Sequence, residues 1–201
     1  ASCGGEKSPY ALVETDMGKM KIKLFDSTPK HRDNFMKLAQ DGFYNGLLFH
    51  RVINGFMIQG GDPQSRNAEA NARLGMGGPG YLIPAEIGAY HFKGALSAAR
   101  MGGGGNPEKK SSGSQFYIVQ GKPVTDAELD GVERSQGIKY TPAERALYKE
   151  IGGTPMLDNQ YTVFGEVVEG LDVIDKIAAT PTAPGDRPLE DVTMKISIIY
   201  E

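Results

Sequence analysis

The sequence has little cysteine, no excess of basic charge and no long apolar run. Its one cysteine, Cys3, cannot form a disulfide within the chain. No stretch approaches the roughly 20 apolar residues that a membrane-spanning helix needs, so we expect no transmembrane helix. The formal net charge of -3 leaves no broad basic surface to neutralise phosphates. Nucleic-acid binding without sequence preference is therefore not expected.

The sequence also lacks the side-chain spacings of metal and nucleophile sites. The three histidines, His31, His50 and His91, are dispersed, and no cysteine cluster accompanies them. The sequence contains no glycine-flanked serine of the kind that acts as a nucleophile, so hydrolysis by a covalent route is not expected. Residues 75–80 have the spacing of a dinucleotide-binding fingerprint, but Pro79 lies inside the run and no amphipathic helix follows it. We expect no metal and no cofactor, and we interpret the glycine run as a surface loop.

Small residues surround Cys3 at the start of the sequence. This start resembles the end of a bacterial lipoprotein signal, in which a cysteine that follows small residues is lipidated. A disordered terminus with an incidental thiol is the alternative. We expect residues 1–9 to form a flexible tether, Cys3 to carry a lipid anchor, and the protein to lie in the periplasm of the bacterial cell envelope. A cytoplasmic location is the alternative to that expectation.

Short segments of alternating apolar and polar residues predict strands. In residues 19–24, three apolar side chains alternate with three lysines, and residues 192–198 show the same pattern. These two segments are expected to share one sheet. Further strand-like segments lie at 10–15, 49–53, 56–59, 95–99, 116–119 and 161–168. So many short strands favour a mainly β fold, and we expect a closed antiparallel barrel because closure removes exposed edges.

Helical signals occur in three places. One helix is expected to begin after Thr28, and a second covers residues 171–178. Residues 122–155 are more charged and contain two capping boxes, which begin at Thr125 and Thr141. Two short helices are expected there, packed as a hairpin.

The densest unusual segment covers residues 49–62, where one arginine stands among apolar and amide side chains. The segment predicts two strands joined by an Asn-Gly turn. Alternation would place Phe49, Arg51 and Ile53 on one face. A lone arginine on a strand is most often a solvated surface charge. His50 is interpreted as a structural histidine whose hydrogen bonds are satisfied.

Four segments resemble the cyclophilins, in the same order along the chain. They are FHRVINGFMIQGGD at 49–62, LSAAR at 96–100, SGSQFYI at 112–118 and VFGEVVEG at 163–170. The resemblance covers about residues 10–121 and 156–200. It implies an eight-stranded antiparallel barrel capped by two helices, and a peptidyl-prolyl cis/trans isomerase. We expect one such domain over residues 10–201, with a helical insertion at about 122–155.

The resemblance also implies a site. Arg51 matches the family's catalytic arginine. The residues that match the proline pocket and the adjoining peptide groove are Phe56, Met57, Gln59, Ala99, Arg100, Gln115, Tyr117, Met156, Leu157 and Tyr161. In three places the sequence departs from the family pattern. Met156 replaces a tryptophan tied to cyclosporin binding, Tyr161 replaces a common histidine, and Tyr117 replaces a common phenylalanine.

The implied partners are proline-containing peptides and unfolded or folding proteins, bound by a monomer. The implied catalysis is non-covalent. Arg51 would stabilise the twisted state of the peptide bond more than either planar isomer. A catalytically weak peptide-binding or chaperone module is the first alternative. A barrel that carries an apolar ligand is the second.

Overall fold

The computed structural model describes residues 4–201, so the proposed lipid attachment site, Cys3, lies outside the described residues. The strands are β1 (Pro9–Thr15), β2 (Gly18–Leu24), β3 (Arg51–Ile53), β4 (Met57–Gly60), β5 (Leu82–Ile83), β6 (Ala95–Ala98), β7 (Ser111–Ser112), β8 (Phe116–Val119), β9 (Val163–Glu169) and β10 (Lys195–Tyr200). The helices are α1 (Pro29–Gln40), α2 (Asp126–Gln136), α3 (Pro142–Ile151) and α4 (Leu171–Ala178). No helix within residues 4–201 is long and apolar enough to cross a bilayer.

Eight of the strands form one antiparallel sheet in the order β10-β1-β2-β9-β6-β8-β4-β3, and β5 and β7 form a separate pair. The mainly β fold with eight strands is therefore confirmed. The alternating segments near the two ends of the chain also share this sheet, because β1 pairs with β10 on one side and with β2 on the other.

The sheet curls into an open half-barrel, so the prediction of a closed barrel is wrong. β3 and β10 are its two edges. The gap between them is crossed by an isolated bridge, which pairs Leu48 with Thr193 just outside the strands. On β3, the backbone N–H of Val52 donates to the carbonyl of Asp186 at 2.8 Å. The loop between α4 and β10 thus occupies the edge of β3. A closed barrel would need that edge for hydrogen bonds between β3 and β10.

The main hydrophobic core lies between one face of the sheet and helices α1 and α4. Phe35 of α1 packs at its centre, with its ring centroid 5.7 Å from that of Phe116 and 5.4 Å from that of Phe164. A fully buried side chain of this kind stabilises the fold by about 1.5–3 kcal/mol. The space that an apolar-ligand carrier would need is filled here by buried side chains, which argues against that alternative.

The central strands carry a second apolar cluster on their other face. Side chains alternate along a strand, so Phe116 and Ile118 of β8 enter the main core while Tyr117 and Val119 point to the opposite side. Around them pack further apolar residues of the strands and loops, namely Phe25, Ile53, Phe56, Met57, Ala89, Ala95, Ala99, Leu157, Tyr161 and Val163. This second cluster holds the candidate site.

Helices α2 and α3 lie in the segment where the sequence predicts two short helices. Thr141 forms a reciprocal capping box with Glu144, whereas the Thr125 side chain accepts a bond from the backbone N–H of Glu128 without the return bond. Arg145 of α3 forms ion pairs with acidic residues of α2, Asp126, Asp130 and Glu133, which hold the two helices together. The helices cover a third apolar cluster, which includes residues outside the insertion.

Two histidines, His31 and His50, are buried in the fold. His31 of α1 is 2% exposed, with Nδ1 at 2.7 Å from a Glu86 carboxylate oxygen and Nε2 at 2.8 Å from the Ser111 hydroxyl. Burial lowers the pKa of His31 below its usual value of 6.5, even though Glu86 opposes this shift. Burial also lowers the pKa of His50.

We predict that the free energy of unfolding falls as the pH drops below 6.5. In that range the unfolded chain takes up protons at these histidines more readily than the folded chain does. Urea denaturation at about pH 7.5, 6.5 and 5.5 measures the slope. The variant His31→Gln cannot be protonated at this position and should show a smaller slope. An unfolding free energy that is constant across this range in the native chain would contradict the prediction.

Candidate functional site

A cavity of about 130 Å³ opens on the second apolar cluster, beside the β3–β4 hairpin. Its lining consists of Arg51, Phe56, Met57, Gln59, Ala99, Arg100, Tyr117, Leu157 and Tyr161. These are nine of the site residues that the resemblance implies. The other two in the described part of the chain lie elsewhere. Gln115 lines a neighbouring cavity, and Met156 is 55% exposed outside the lining.

Strand register brings the polar side chains of the cavity together. Arg51 of β3 pairs with Gln59 of β4, and Gln59 pairs with Tyr117 of β8. Residues directly opposite each other on neighbouring strands project to the same face. A row that runs across three strands therefore presents a guanidinium, an amide and an aromatic ring to one cavity.

Arg51 is only loosely paired with an acidic residue. Its side chain is 47% exposed, and the nearest carboxylate oxygen, on Asp186, is 4.0 Å from its Nε. The expectation that Phe49 shares its face is wrong. Strand β3 begins only at Arg51, and Phe49 is fully buried in the main core against Phe116. The guanidinium keeps donors for a ligand in the cavity.

Two glutamines connect the cavity to a larger groove. The Gln59 amide donates to the Gln115 side-chain oxygen at 3.2 Å, and the Gln115 amide donates to the carbonyl of Gly77 at 2.8 Å. The groove next to them has a volume of about 590 Å³. Its walls include the glycine-rich run, together with Tyr81, Leu82 and Met101. The resemblance implies a peptide groove beside the cavity, but the sequence predicts only a plain surface loop for the glycine-rich run and misses its place in the groove wall.

Glycine is required at Gly77 by a buried carboxylate. A Cβ at Gly77 would lie 2.1 Å from Oδ1 of Asp62. Asp62 is fully buried and accepts bonds from the backbone N–H groups of Gln64 and Gly75. Asp62 lies two residues after the end of β4. Its bond to the backbone of Gly75 therefore holds the glycine-rich loop against the sheet.

Arg100 and Tyr161 form one edge of the cavity. The guanidinium carbon of Arg100 is 4.5 Å from the centroid of the Tyr161 ring, a cation–π contact. The Arg100 Nε also donates to the carbonyl of Gln160 at 2.9 Å. These two contacts hold the long side chain at the rim, where it lines both the cavity and the groove.

Tyr117 forms the base of the cavity, and its hydroxyl is bonded beneath it. The hydroxyl oxygen is 2.8 Å from Nε2 of His91, and Nδ1 of His91 is 2.8 Å from a carboxylate oxygen of Asp158. Burial raises the pKa of Tyr117 well above its usual value, so the hydroxyl stays protonated and donates. The Tyr117 hydroxyl therefore points away from the cavity, and the cavity contacts only the aromatic ring, as it would with a phenylalanine. Sequence reasoning missed His91 and Asp158, which lie far apart in the chain.

His50 is buried, but its hydrogen bonds are not satisfied as expected. Within residues 4–201 neither ring nitrogen has a hydrogen-bond partner. The expectation of a satisfied structural histidine is wrong on this point. The burial that lowers its pKa keeps the ring neutral, and a neutral ring is less costly to leave unpaired than a charged one.

The curled eight-stranded sheet, with an apolar cavity lined by Arg51 and a groove beside it, defines the class as a mainly β protein with a concave site on one face of its sheet. The sequence pattern of the family described as "Cyclophilin type peptidyl-prolyl cis-trans isomerase/CLD" matches residues 10–197. The chain belongs to the cyclophilin family, and it is a peptidyl-prolyl cis-trans isomerase.

Relatives from bacteria are similar along most of their length. A protein of Staphylococcus saprophyticus described as a "Putative peptidyl-prolyl cis-trans isomerase" is 42% identical over 196 residues, which cover 94% of this chain and 91% of the relative. A protein of Staphylococcus aureus with the same description is 40% identical over 190 residues, with 92% and 88% covered.

Solved structures show the same fold. The crystal structure of a cyclophilin-type peptidyl-prolyl cis-trans isomerase from Cryptosporidium parvum has a TM-score of 0.67, at 24% identity, with 97% of this chain and 98% of that chain covered. A crystal structure of that protein in the presence of the dipeptide Ala-Pro has a TM-score of 0.66, at 23% identity, with 96% and 98% covered.

We predict that Tyr117→Phe lowers the free energy of unfolding by about 1–3 kcal/mol, because it leaves the buried His91 Nε2 without its donor. Tyr90→Phe is the matched control, since the Tyr90 hydroxyl donates no hydrogen bond to another described residue. Urea denaturation of both variants makes the comparison. Equal stability of the two variants would show that the Tyr117 hydroxyl is not held as described.

Proposed function

We propose that the enzyme isomerises Xaa-Pro bonds by arginine-assisted, non-covalent catalysis, and that it accelerates the folding of proline-containing chains. The observation that supports this proposal is the position of Arg51, a loosely paired guanidinium beside an apolar cavity. The reaction makes and breaks no covalent bond between substrate and enzyme, so it requires no nucleophile.

The barrier defines what Arg51 has to do. Rotation about a peptide bond costs about 18–20 kcal/mol, because the nitrogen lone pair is delocalised into the carbonyl. In the twisted state that delocalisation is lost and the nitrogen becomes a hydrogen-bond acceptor. A guanidinium N–H directed at this nitrogen stabilises the twisted state more than either planar isomer, and only such differential binding accelerates the reaction.

The apolar walls of the cavity form the binding position for the proline ring. Phe56, Met57 and Leu157 surround the ring of Tyr117 in the cavity, and they offer no polar group that competes with the arginine. Exclusion of water strengthens the interaction of Arg51 with the substrate. The cavity therefore fits a pyrrolidine ring, while Gln59 and Gln115 are placed to bond the peptide backbone on the groove side.

The relative from Cryptosporidium parvum supports a proline peptide as the ligand, since one of its crystal structures was obtained in the presence of Ala-Pro. The adjoining groove supports a ligand longer than a dipeptide. Its volume is several times that of the cavity, and it begins directly beyond Arg100 and Gln59.

We predict that Arg51→Ala lowers kcat/KM for a short Xaa-Pro peptide by about 10²- to 10³-fold, the usual effect of removing one donor that acts on the transition state. Protease-coupled cleavage or proton NMR exchange measures the rate. The folded state should be unaffected, because Arg51 is half exposed and only weakly paired.

Arg73→Ala is the matched control for this variant, since it removes an exposed arginine that lies outside the cavity lining. It should retain the native rate. An Arg51→Ala protein with normal circular dichroism and near-native turnover would contradict the proposed role of the arginine.

The binding or chaperone module remains the second candidate, because the groove is large enough to hold an unfolded segment. The two functions differ in one experiment. Fast turnover of a proline peptide supports the isomerase, whereas suppression of aggregation without turnover supports the module.

The lipid anchor at Cys3, the location in the cell envelope and the monomeric state stay predictions from the sequence. Metabolic labelling with a fatty-acid analogue, compared between the native protein and Cys3→Ser in a bacterial host, tests the anchor. Label retained by Cys3→Ser would contradict it.

A further inference from the structure

A buried carboxylate connects the helical insertion to the rest of the protein. Asp158 follows the insertion and is completely buried. Its Oδ2 accepts bonds from the hydroxyls of Tyr140, at 2.6 Å, and Tyr148, at 2.5 Å. Its Oδ1 accepts from the backbone N–H of His91 at 2.7 Å and lies 2.8 Å from His91 Nδ1. Both tyrosines belong to the insertion, whereas His91 belongs to the segment before β6.

The bonds to Asp158 determine which atoms donate in the neighbouring hydrogen bonds of His91 and Tyr117. A carboxylate only accepts, so both tyrosine hydroxyls and His91 Nδ1 must donate to it. The histidine tautomer with its proton on Nδ1 has a lone pair on Nε2. That lone pair accepts the Tyr117 hydroxyl, and the Ser97 hydroxyl lies 3.3 Å from the same nitrogen. A continuous chain of hydrogen bonds thus leads from α3 to the base of the cavity.

We infer that the helical insertion, residues 122–155, is a functional part of the substrate site. Through Asp158 and His91, the hydroxyls of Tyr140 and Tyr148 fix the ring of Tyr117 against which the proline ring packs. Tyr140 and Tyr148 are then positioning residues for the isomerase, and they set its affinity for proline peptides. This inference rests on the function proposed above.

The hydroxyl groups argue for this role over simple packing. Phe92 and Tyr148 lie together with ring centroids 4.4 Å apart, and Tyr90 and Tyr140 with centroids 5.0 Å apart. Phenylalanine would fill either tyrosine position in this apolar cluster. Both hydroxyls nevertheless reach the same carboxylate oxygen, and a buried carboxylate is stable only when its acceptors are satisfied.

The ring of Tyr117 has little freedom once its hydroxyl is held. The bond to His91 fixes the axis of the side chain, and the Tyr161 ring, at 5.8 Å and 85°, limits rotation of the ring plane. Loss of the insertion hydroxyls would release His91, and His91 would in turn release Tyr117. A mobile cavity base binds planar and twisted substrates less tightly to a similar extent, so the effect falls on KM rather than on kcat.

The experiment compares Tyr140→Phe, Tyr148→Phe and the double variant with Tyr90→Phe, a control from the same apolar cluster. Each variant is assayed on a short Ala-Pro peptide well below its melting temperature. The double variant loses both hydrogen bonds to Asp158, and we expect its KM to rise about 3- to 10-fold with kcat nearly unchanged. The control should keep both native values. Native KM in the double variant would overturn the inference, even if its melting temperature fell.

A spectroscopic measurement keeps the test independent of turnover and of a poorly folding variant. With ¹⁵N-labelled histidine in the native protein, we expect Nε2 of His91 to resonate as an unprotonated, hydrogen-bonded nitrogen and to shift when the peptide is added. A His91 signal that does not respond to saturating peptide would overturn the inference. If the native protein binds the peptide without turning it over, the proposed function fails, and peptide dissociation constants from the same titrations replace KM in testing the inference.

Discussion

The alternation of side chains along the central strands is the constraint on which the rest of the structure depends. In β8, Phe116 and Ile118 enter the main core, whereas Tyr117 and Val119 enter the second apolar cluster, where Tyr117 lines the cavity. Adjacent positions of one strand, Ile118 and Tyr117, thus face the main core and the candidate site. A shift of one residue in register would exchange the two faces and remove both the core and the site.

This constraint accounts for the small number of polar groups in the mechanism that we propose. The rigid sheet presents Arg51 and Gln59 in one row, and apolar side chains surround them. In the proposed mechanism, these apolar side chains strengthen the interaction of the guanidinium with the developing lone pair of the substrate nitrogen, compared with the same interaction in open water. The open edge of the half-barrel does not disturb this row, since the loop that contains Asp186 covers β3.

Much of the fold follows from the sequence because its signals are local. Alternation places β1, β2 and β10, and the capping residues Thr125 and Thr141 mark the starts of α2 and α3. The closed barrel was wrong because closure depends on which segment reaches the edge of β3, a contact between residues distant in the chain. Phe49 was assigned to the wrong face because β3 begins two residues later than its alternation indicates.

The site was predicted only in part, and for the same reason. The cyclophilin resemblance supplies Arg51 and the cavity walls, but the support of Tyr117 by His91 and Asp158 joins segments that no motif links. The fold and the site together predict that this cavity catalyses isomerisation. The most direct test is NMR exchange between the cis and trans signals of an Ala-Pro peptide with a catalytic amount of the native protein. We expect exchange far faster than the uncatalysed rate, and binding by the folded protein without faster exchange would contradict catalysis by this cavity.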